Sequence, residues 1–331
     1  MAHHSPLSAS SLPRIALCPA SYRMSIGIPN KSNPAAERGT RIHEMAENLW
    51  KKIKVITDDQ EGLQWAKDYI DYVEGILYST KDGEASLEVN LTEPLKTVHP
   101  LLGGTGDAII TTDQELHIVD LKTGRGVVKT NSIQLKTYAL GAWIKLGRPY
   151  VTIYAHIFQP HYAQQLPAQY SYDDMVAFEI ELKALAEKAE DPFQDPTPGY
   201  EQCKYCPARI TCPSIKDKAI EVAKQEFKPE EHLADLPELL DTAELLETWI
   251  DAVREAAKDI MNTGGFVAGW SMSKGRKMQK IKDAQAVIEL FNSNPAIFEL
   301  KSITALKKSG FDVPADLIDE TLSAPSLKRS K

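Results

Sequence analysis

The hydrophobic period changes along the chain, and each period predicts a different element. Ile42, Met45, Ala46 and Leu49 recur at helical spacing, so a helix is expected from about Ala35 to Lys52. A second helix is expected over roughly 61–79, carrying Leu63, Trp65, Ala66, Tyr69, Ile70, Val73 and Leu77. The period then drops to two in Ala85–Leu91, as in a strand. Residues 103–110 and 115–121, joined by a short turn at Thr112–Gln114, read as an antiparallel hairpin. Asn131 to about Lys145 reads as a helix, Tyr150–Phe158 as a strand, and Asp173 to about Glu190 as another helix. Upstream, Ser8, Ser10 and Ser11 precede a short helix that should end near Cys18-Pro19, and residues 26–36 are loop-like. The order of two helices, three strands, helix, strand and helix describes an α/β core, a mixed β-sheet flanked by helices.

After Cys212 the pattern becomes mainly helical. Residues 236–261 are strongly helix-forming, and 283–292 and 302–309 are shorter helix candidates. Phe266–Ser273 and Arg276–Ile281 read as a β-hairpin turning at Lys274-Gly275, and Ala324–Lys331 as a disordered end. The expected organisation is a main domain over 1–215 and a mainly helical region over 216–331.

Bulk properties narrow the setting. With 331 residues the chain is long enough to bury a sizeable core, and 43% hydrophobic with 25% charged residues is ordinary for a globular protein. No apolar run approaches the roughly 20 residues of a membrane span, and the N-terminus lacks a secretory pattern. A cytoplasmic, reducing location is expected, where four cysteines serve as metal ligands or free thiols more readily than as disulfides. A net charge of −8 argues against coating nucleic acid over the whole surface but leaves room for a local basic groove.

The candidate chemistry sits on the predicted hairpin. Asp107 and Asp120 fall on its two strands, and Asp120 and Lys122, two apart on one strand, face the same way. Asp120 ends an apolar run, where a carboxylate is costly unless paired or metal-bound. Two carboxylates and an ammonium make a compact site for Mg²⁺ or Mn²⁺, hard ions that prefer oxygen ligands. The lysine would orient or deprotonate an attacking water. His43, on the early helix, can add an imidazole ligand, although alone it reads as a surface or packing histidine. Gln134 and Tyr138, at i and i+4, share one helix face and orient the site, contact a nucleic-acid strand or simply pack. Glu88 lies near the same site or faces solvent.

The cysteines are arranged one against three: Cys18 alone, then Cys203, Cys206 and Cys212 as C-x2-C-x5-C. Cys18, Cys206 and Cys212 each precede a proline, which stiffens the loop. Four thiolates suit zinc or an iron–sulfur cluster, and spacing alone does not separate them.

With Gly104-Thr-Gly-Asp107, Asp120-Leu-Lys122, Gln134-Leu-Lys-Thr-Tyr138, His43 and the one-plus-three cysteines in this order, residues 5–215 resemble the RecB-like branch of the PD-(D/E)XK nucleases. The layout is similar to the iron–sulfur exonucleases of CRISPR adaptation, to AddB-type subunits and to a phage-encoded group. The resemblance implies a restriction-endonuclease-like core closed by a cysteine metal cluster. In it His43, Asp107, Asp120 and the Leu121 carbonyl hold Mg²⁺ or Mn²⁺. Lys122 is catalytic, with Gln134 and Tyr138 in support, and Cys18, Cys203, Cys206 and Cys212 bind a [4Fe–4S] cluster, with structural Zn²⁺ as the alternative.

The implied activity is that of a metal-dependent DNA nuclease, an exonuclease, on single-stranded DNA or DNA with free ends, in phage recombination or end processing within the host cytoplasm. The alternative is a non-catalytic DNA-binding or assembly subunit that keeps the fold. A single-strand-binding or annealing recombination protein is the candidate partner, with no membrane role and the oligomeric state left open. Beyond residue 215, Lys274, Arg276 and Lys277 form a basic stretch near Trp270. They would contact phosphates while Trp270 stacks on a base, or else form a solvated edge around a small core.

Overall fold

The structure is a computed structural model that describes residues 7–29, 34–80, 82–149, 151–224, 236–273, 277–290, 302–308, 310, 312–322 and 327–329. In chain order it begins with β1 (Leu7–Ser8), α1 (Leu12–Leu17), α2 (Ala20–Met24), α3 (Pro34–Trp50) and α4 (Gln60–Ser79). Then come β2 (Glu84–Asn90), α5 (Thr92–Lys96), β3 (Leu102–Gly103), β4 (Thr105–Thr111) and β5 (Glu115–Leu121). They are followed by α6 (Ile133–Lys145), β6 (Thr152–Phe158), β7 (Ala168–Tyr170), α7 (Tyr172–Glu190), α8 (Tyr200–Lys204) and α9 (Pro213–Ala223). The remainder comprises α10 (Leu236–Asn262), β8 (Trp270–Met272), β9 (Lys277–Ile281), α11 (Ala284–Leu290), α12 (Ile303–Lys308), β10 (Ile318–Leu322) and β11 (Leu327–Arg329).

The central sheet has five strands in the order β2-β4-β5-β6-β7. β2, β4 and β5 pair antiparallel, with a short turn between β4 and β5 and the segment carrying α5 and β3 between β2 and β4. β5 and β6 pair parallel because α6 carries the chain across the sheet between them. One face carries Ala108, Ile110, Val119 and Leu121, covered by Ile42, Met45 and Ala46 of α3 and Ala66, Tyr69, Ile70 and Val73 of α4. The other carries Ile109, Leu116, Ile118 and Ile153, covered by α6 and α7. α6 is buried almost all round, from Gln134 to Trp143, because it packs beneath α5 as well as on the sheet. Asp59 caps α4 through the Gly62 N–H at 2.9 Å, and Ser171 with Asp174 forms a capping box on α7.

The long elements lie where the periodicity places them. Several short ones escape it: β1 with β3, α5, β7, α2 and α8 are too brief to show a period. The chain divides into compact units over Met1–Trp249 and Ile250–Lys331, a division that falls inside α10. The expected main domain, 1–215, lies within the first. The second unit has its own core of Val287, Ile303, Leu306, Val313 and Ile318.

One expectation fails in that second unit. Among the described residues, Phe266–Ser273 and Lys277–Ile281 do not pair as the expected hairpin. β8 pairs antiparallel with β11, and β9 pairs antiparallel with β10. The expected disordered end is also corrected in part, since Leu327–Arg329 is the strand that pairs with Trp270–Met272. Both corrections have one cause: the true partners lie far along the chain, where local turn signals carry no information.

A candidate metal centre at the end of the sheet

Three strands deliver carboxylates to one place. Asp107 comes from the start of β4, Asp120 from the end of β5, and Glu88 from β2 beside Asp107. α3 lays His43 over them. His43 Nδ1 stands 3.4 Å from Asp107 Oδ1 and 3.8 Å from Glu88 Oε1. The second oxygen of Asp107 is fixed, because the Leu121 N–H donates to Oδ2 at 2.8 Å. An extended residue turns its N–H and C=O toward the same edge, so the Leu121 carbonyl faces the Asp107 side too. Lys122 Nζ lies 2.7 Å from Asp120 Oδ2, an ion pair. Asp120 is 1% exposed, so this pair sits at the buried edge of the site.

Among the described residues, one group of three or more His, Cys, Asp and Glu side chains has all its ligand atoms within 4.8 Å of one another: His43, Glu88 and Asp107. Sequence reasoning left Glu88 undecided between site and solvent, and the structure brings it in. The signal is in the backbone. Glu88 has φ 50°, left-handed for a residue with a Cβ, in the middle of a strand. The β2–β4 ladder keeps register on either side, Leu87 opposite Ala108 and Val89 opposite Gly106, so the strain is confined to the residue opposite Asp107.

The electrostatics describe a cluster short of positive charge. Burial disfavours a charged His43, yet Asp107, Glu88 and Asp120 raise it to about 10. Asp107 is also disfavoured by burial, but His43, Lys122 and the Leu121 N–H hold its carboxyl below the usual range. Burial raises Asp120 to about 6, with Asp107 adding to the shift and Lys122 opposing it. For Lys122 burial is outweighed by Asp120 and Asp107, and the ammonium is held more firmly protonated than usual.

α6 supports this from behind. Gln134 Nε2 donates to the Tyr138 hydroxyl at 3.0 Å, and burial with the nearby Asp120 pushes that phenol up to about 12. Gly104 explains why the motif upstream of Asp107 begins with glycine. A Cβ there would lie 2.9 Å from the Tyr138 ring and 3.2 Å from Ala9. Gly39 on α3 has the same role against the segment after Lys122, since its Cβ would meet Thr123 Oγ1 at 3.1 Å.

The four cysteines converge separately. Cys18, Cys203, Cys206 and Cys212 are buried, form no disulfide and line one cavity. Backbone N–H groups aim at the sulfurs: Thr197 donates to Cys18 Sγ at 3.3 Å, Gly199 to Cys203, and Ser214 and Ile215 to Cys212. Burial, with a contribution from the neighbouring thiols, pushes Cys203 up to about 11, and burial raises Cys212 as well.

A family model described as "Protein of unknown function (DUF2800)" matches residues 4–310. The chain belongs to the DUF2800 family. A solved structure described as "Crystal structure of SSO0001" is similar over 65% of this chain and 88% of that chain, at 15% identity and a TM-score of 0.33. The DUF2800 description names no activity, so for this DUF2800 protein function is argued from the site.

The basic stretch beyond the first unit is only partly described. Lys274 and Arg276 lie outside the described residues, and Lys277 opens β9. Trp270 opens β8 and is 39% exposed, so it does not fill a core. Among the described residues of this DUF2800 protein no helix is long and apolar enough to cross a membrane.

Proposed function

We propose that this DUF2800 protein is a divalent-metal-dependent deoxyribonuclease of the RecB-like PD-(D/E)XK type, an exonuclease acting on DNA with free ends. The observation that carries the reading is the meeting of His43, Glu88 and Asp107 beside the Asp120–Lys122 pair.

The donor set fits Mg²⁺ or Mn²⁺. Carboxylate oxygens from Glu88 and Asp107 converge with one imidazole nitrogen, and without a cation the cluster recruits a proton onto His43. His43, Glu88, Asp107 and the Leu121 carbonyl would hold the ion, with Asp120 at its inner edge. Bound there, the ion supplies Lewis-acid polarisation of a phosphoryl oxygen and a water of lowered pKa. Asp107 would offer the ion Oδ1, since the Leu121 N–H already donates to Oδ2. Asp120 pairs with Lys122 and holds its ammonium at the site. That ammonium would orient the attacking water and offset charge building on the phosphate.

The cysteines fit a [4Fe–4S] cluster better than one zinc. Thiolates on a single tetrahedral zinc lie about 3.8 Å apart, given Zn–S near 2.3 Å. Among the described residues no three of these sulfurs come within 4.8 Å of one another. The N–H groups aimed at Cys18, Cys203 and Cys212 favour thiolates over thiols.

Linear and circular DNA, offered with Mg²⁺ or Mn²⁺ to the full chain, test the reading. Linear DNA should shorten from an end, circular DNA should persist, and EDTA or Asp107→Asn should stop the reaction. DNA binding with no metal-dependent turnover would contradict it and leave a non-catalytic subunit.

A further inference from the structure

The segment that leaves β5 after Lys122 and reaches the α6 cap at Ser132 is anchored from one side only. Gln159 Nε2 donates to the carbonyls of Gly124 and Gly126, at 2.9 and 2.7 Å. The Tyr162 hydroxyl donates to the Arg125 carbonyl, and Gln165 Nε2 to the Val128 carbonyl at 2.7 Å. All these peptides are trans. In a trans unit the C=O of one residue and the N–H of the next point in opposite directions. Tying the carbonyls of Gly124, Arg125 and Gly126 to the 159–165 segment therefore turns the N–H groups of Arg125, Gly126 and Val127 outward. These three residues are exposed, and among the described residues no acceptor is bonded to their amides.

The glycines sharpen this. Neither Gly124 nor Gly126 has a left-handed φ, and a Cβ at either would meet nothing within 4 Å. Backbone conformation does not require glycine there, and packing within this chain does not either. What a bare backbone still offers is close approach by something outside the protein. The segment 122–131 also carries Lys122, Arg125 and Lys129 and no carboxylate, in a chain whose net charge is −8. Arg125 and Lys129 are exposed. Outward amides flanked by two cations form an anion cradle, the chemistry that holds phosphate.

We propose that the amides of Arg125, Gly126 and Val127, with the Arg125 and Lys129 side chains, hold a backbone phosphate of the nucleic-acid strand that passes Lys122. The ligand class rests on the nuclease reading, whereas the location rests on the anchored carbonyls and the unneeded glycines.

The test is binding of a short fluorescein-labelled single-stranded oligonucleotide to the full chain in EDTA, which prevents turnover, alongside thermal unfolding. The Gly124→Ala/Gly126→Ala protein should unfold at or above the wild-type temperature, because alanine restricts the unfolded chain. It should bind about tenfold more weakly, the cost of displacing one phosphate from its donors. Arg125→Ala/Lys129→Ala should reduce the slope of log affinity against log salt by about 0.7, the value for one single-strand phosphate contact. Unchanged affinity in the glycine variant would overturn the cradle. So would a lowered unfolding temperature, which would show that the fold needs the glycines, and so would a wild type that binds no oligonucleotide. The two readings separate cleanly. Lys122-dependent cutting with normal binding by the glycine variant sinks the cradle alone. Weakened binding by that variant in a protein that never cuts keeps the cradle and sinks the nuclease.

Discussion

Glu88 holds φ 50° within β2, a conformation that costs a residue bearing a Cβ about 1 kcal/mol or more. The strain is local and the carboxylate it delivers faces His43 and Asp107, so stability and site geometry oppose each other at this one position. Glu88→Gly should therefore be more stable than Glu88→Ala by about 1 kcal/mol, while both lose Mn²⁺ affinity by about tenfold or more. Urea unfolding and Mn²⁺ titration measure the two effects, and equal stability of the two variants would remove the strain from the account. A second residue-scale effect concerns pH. His156 Nε2 faces His117 Nδ1 at 3.1 Å, and the Tyr72 hydroxyl lies 3.0 Å from His156 Nδ1. Burial, then His117, lowers His156 to about 4, and burial lowers His117 too. Kept neutral in the fold, His156 contributes stability that is complete above about pH 6.5 and lost as pH falls toward 4, on the order of 3 kcal/mol. Unfolding temperature should drop over that window, and less steeply in His156→Gln; parallel curves would contradict the assignment. Asp107, Asp120 and Lys122 were legible in the sequence because two-residue alternation fixes which side chains share a face. Glu88 was not, because its place depends on a backbone angle that composition does not encode.

The elements that carry the site are held by close approaches as much as by apolar burial. Gly104 lets the β3–β4 connection press against Tyr138 of α6, which ties the glycine upstream of Asp107 to the Gln134–Tyr138 pair. Gly104→Ala should cost about 1–3 kcal/mol by overpacking and should lower activity with it. An unfolding midpoint equal to wild type would show that α6 yields freely there. α3, α4, α6, α7 and the strands β2, β4, β5 and β6 were legible because each is long enough to display a period. β7, only three residues long and directly following Pro167, is not, and neither is α5, which contains Pro94. The β8 and β9 segments were visible as strands, but their partners β11 and β10 lie tens of residues away, and period says nothing about who pairs with whom.

Across the whole chain, the cysteine cavity joins α1, the residues before α8 and the start of α9, with the sheet and its site lying between in sequence. Ligand binding at such a closure contributes to folding stability. Anaerobically purified protein should carry about four irons per chain, and Cys18→Ala should lose iron and unfold at lower temperature. A colourless protein holding one zinc would refute the cluster. The one-against-three spacing revealed that the chain returns to close a site, while the spread of the sulfurs, which bears on the choice of metal, appears only in three dimensions.

The account stands on Lys122, held by Asp120 beside the His43, Glu88 and Asp107 cluster. Time courses on linear DNA labelled at the 5′ or 3′ end, with Mn²⁺ and with wild type against Lys122→Ala, test it most directly. Wild type should release labelled nucleotides, and Lys122→Ala should do so about 100- to 1000-fold more slowly while still binding DNA. Equal rates for the two proteins, or no metal-dependent release from either, would contradict it.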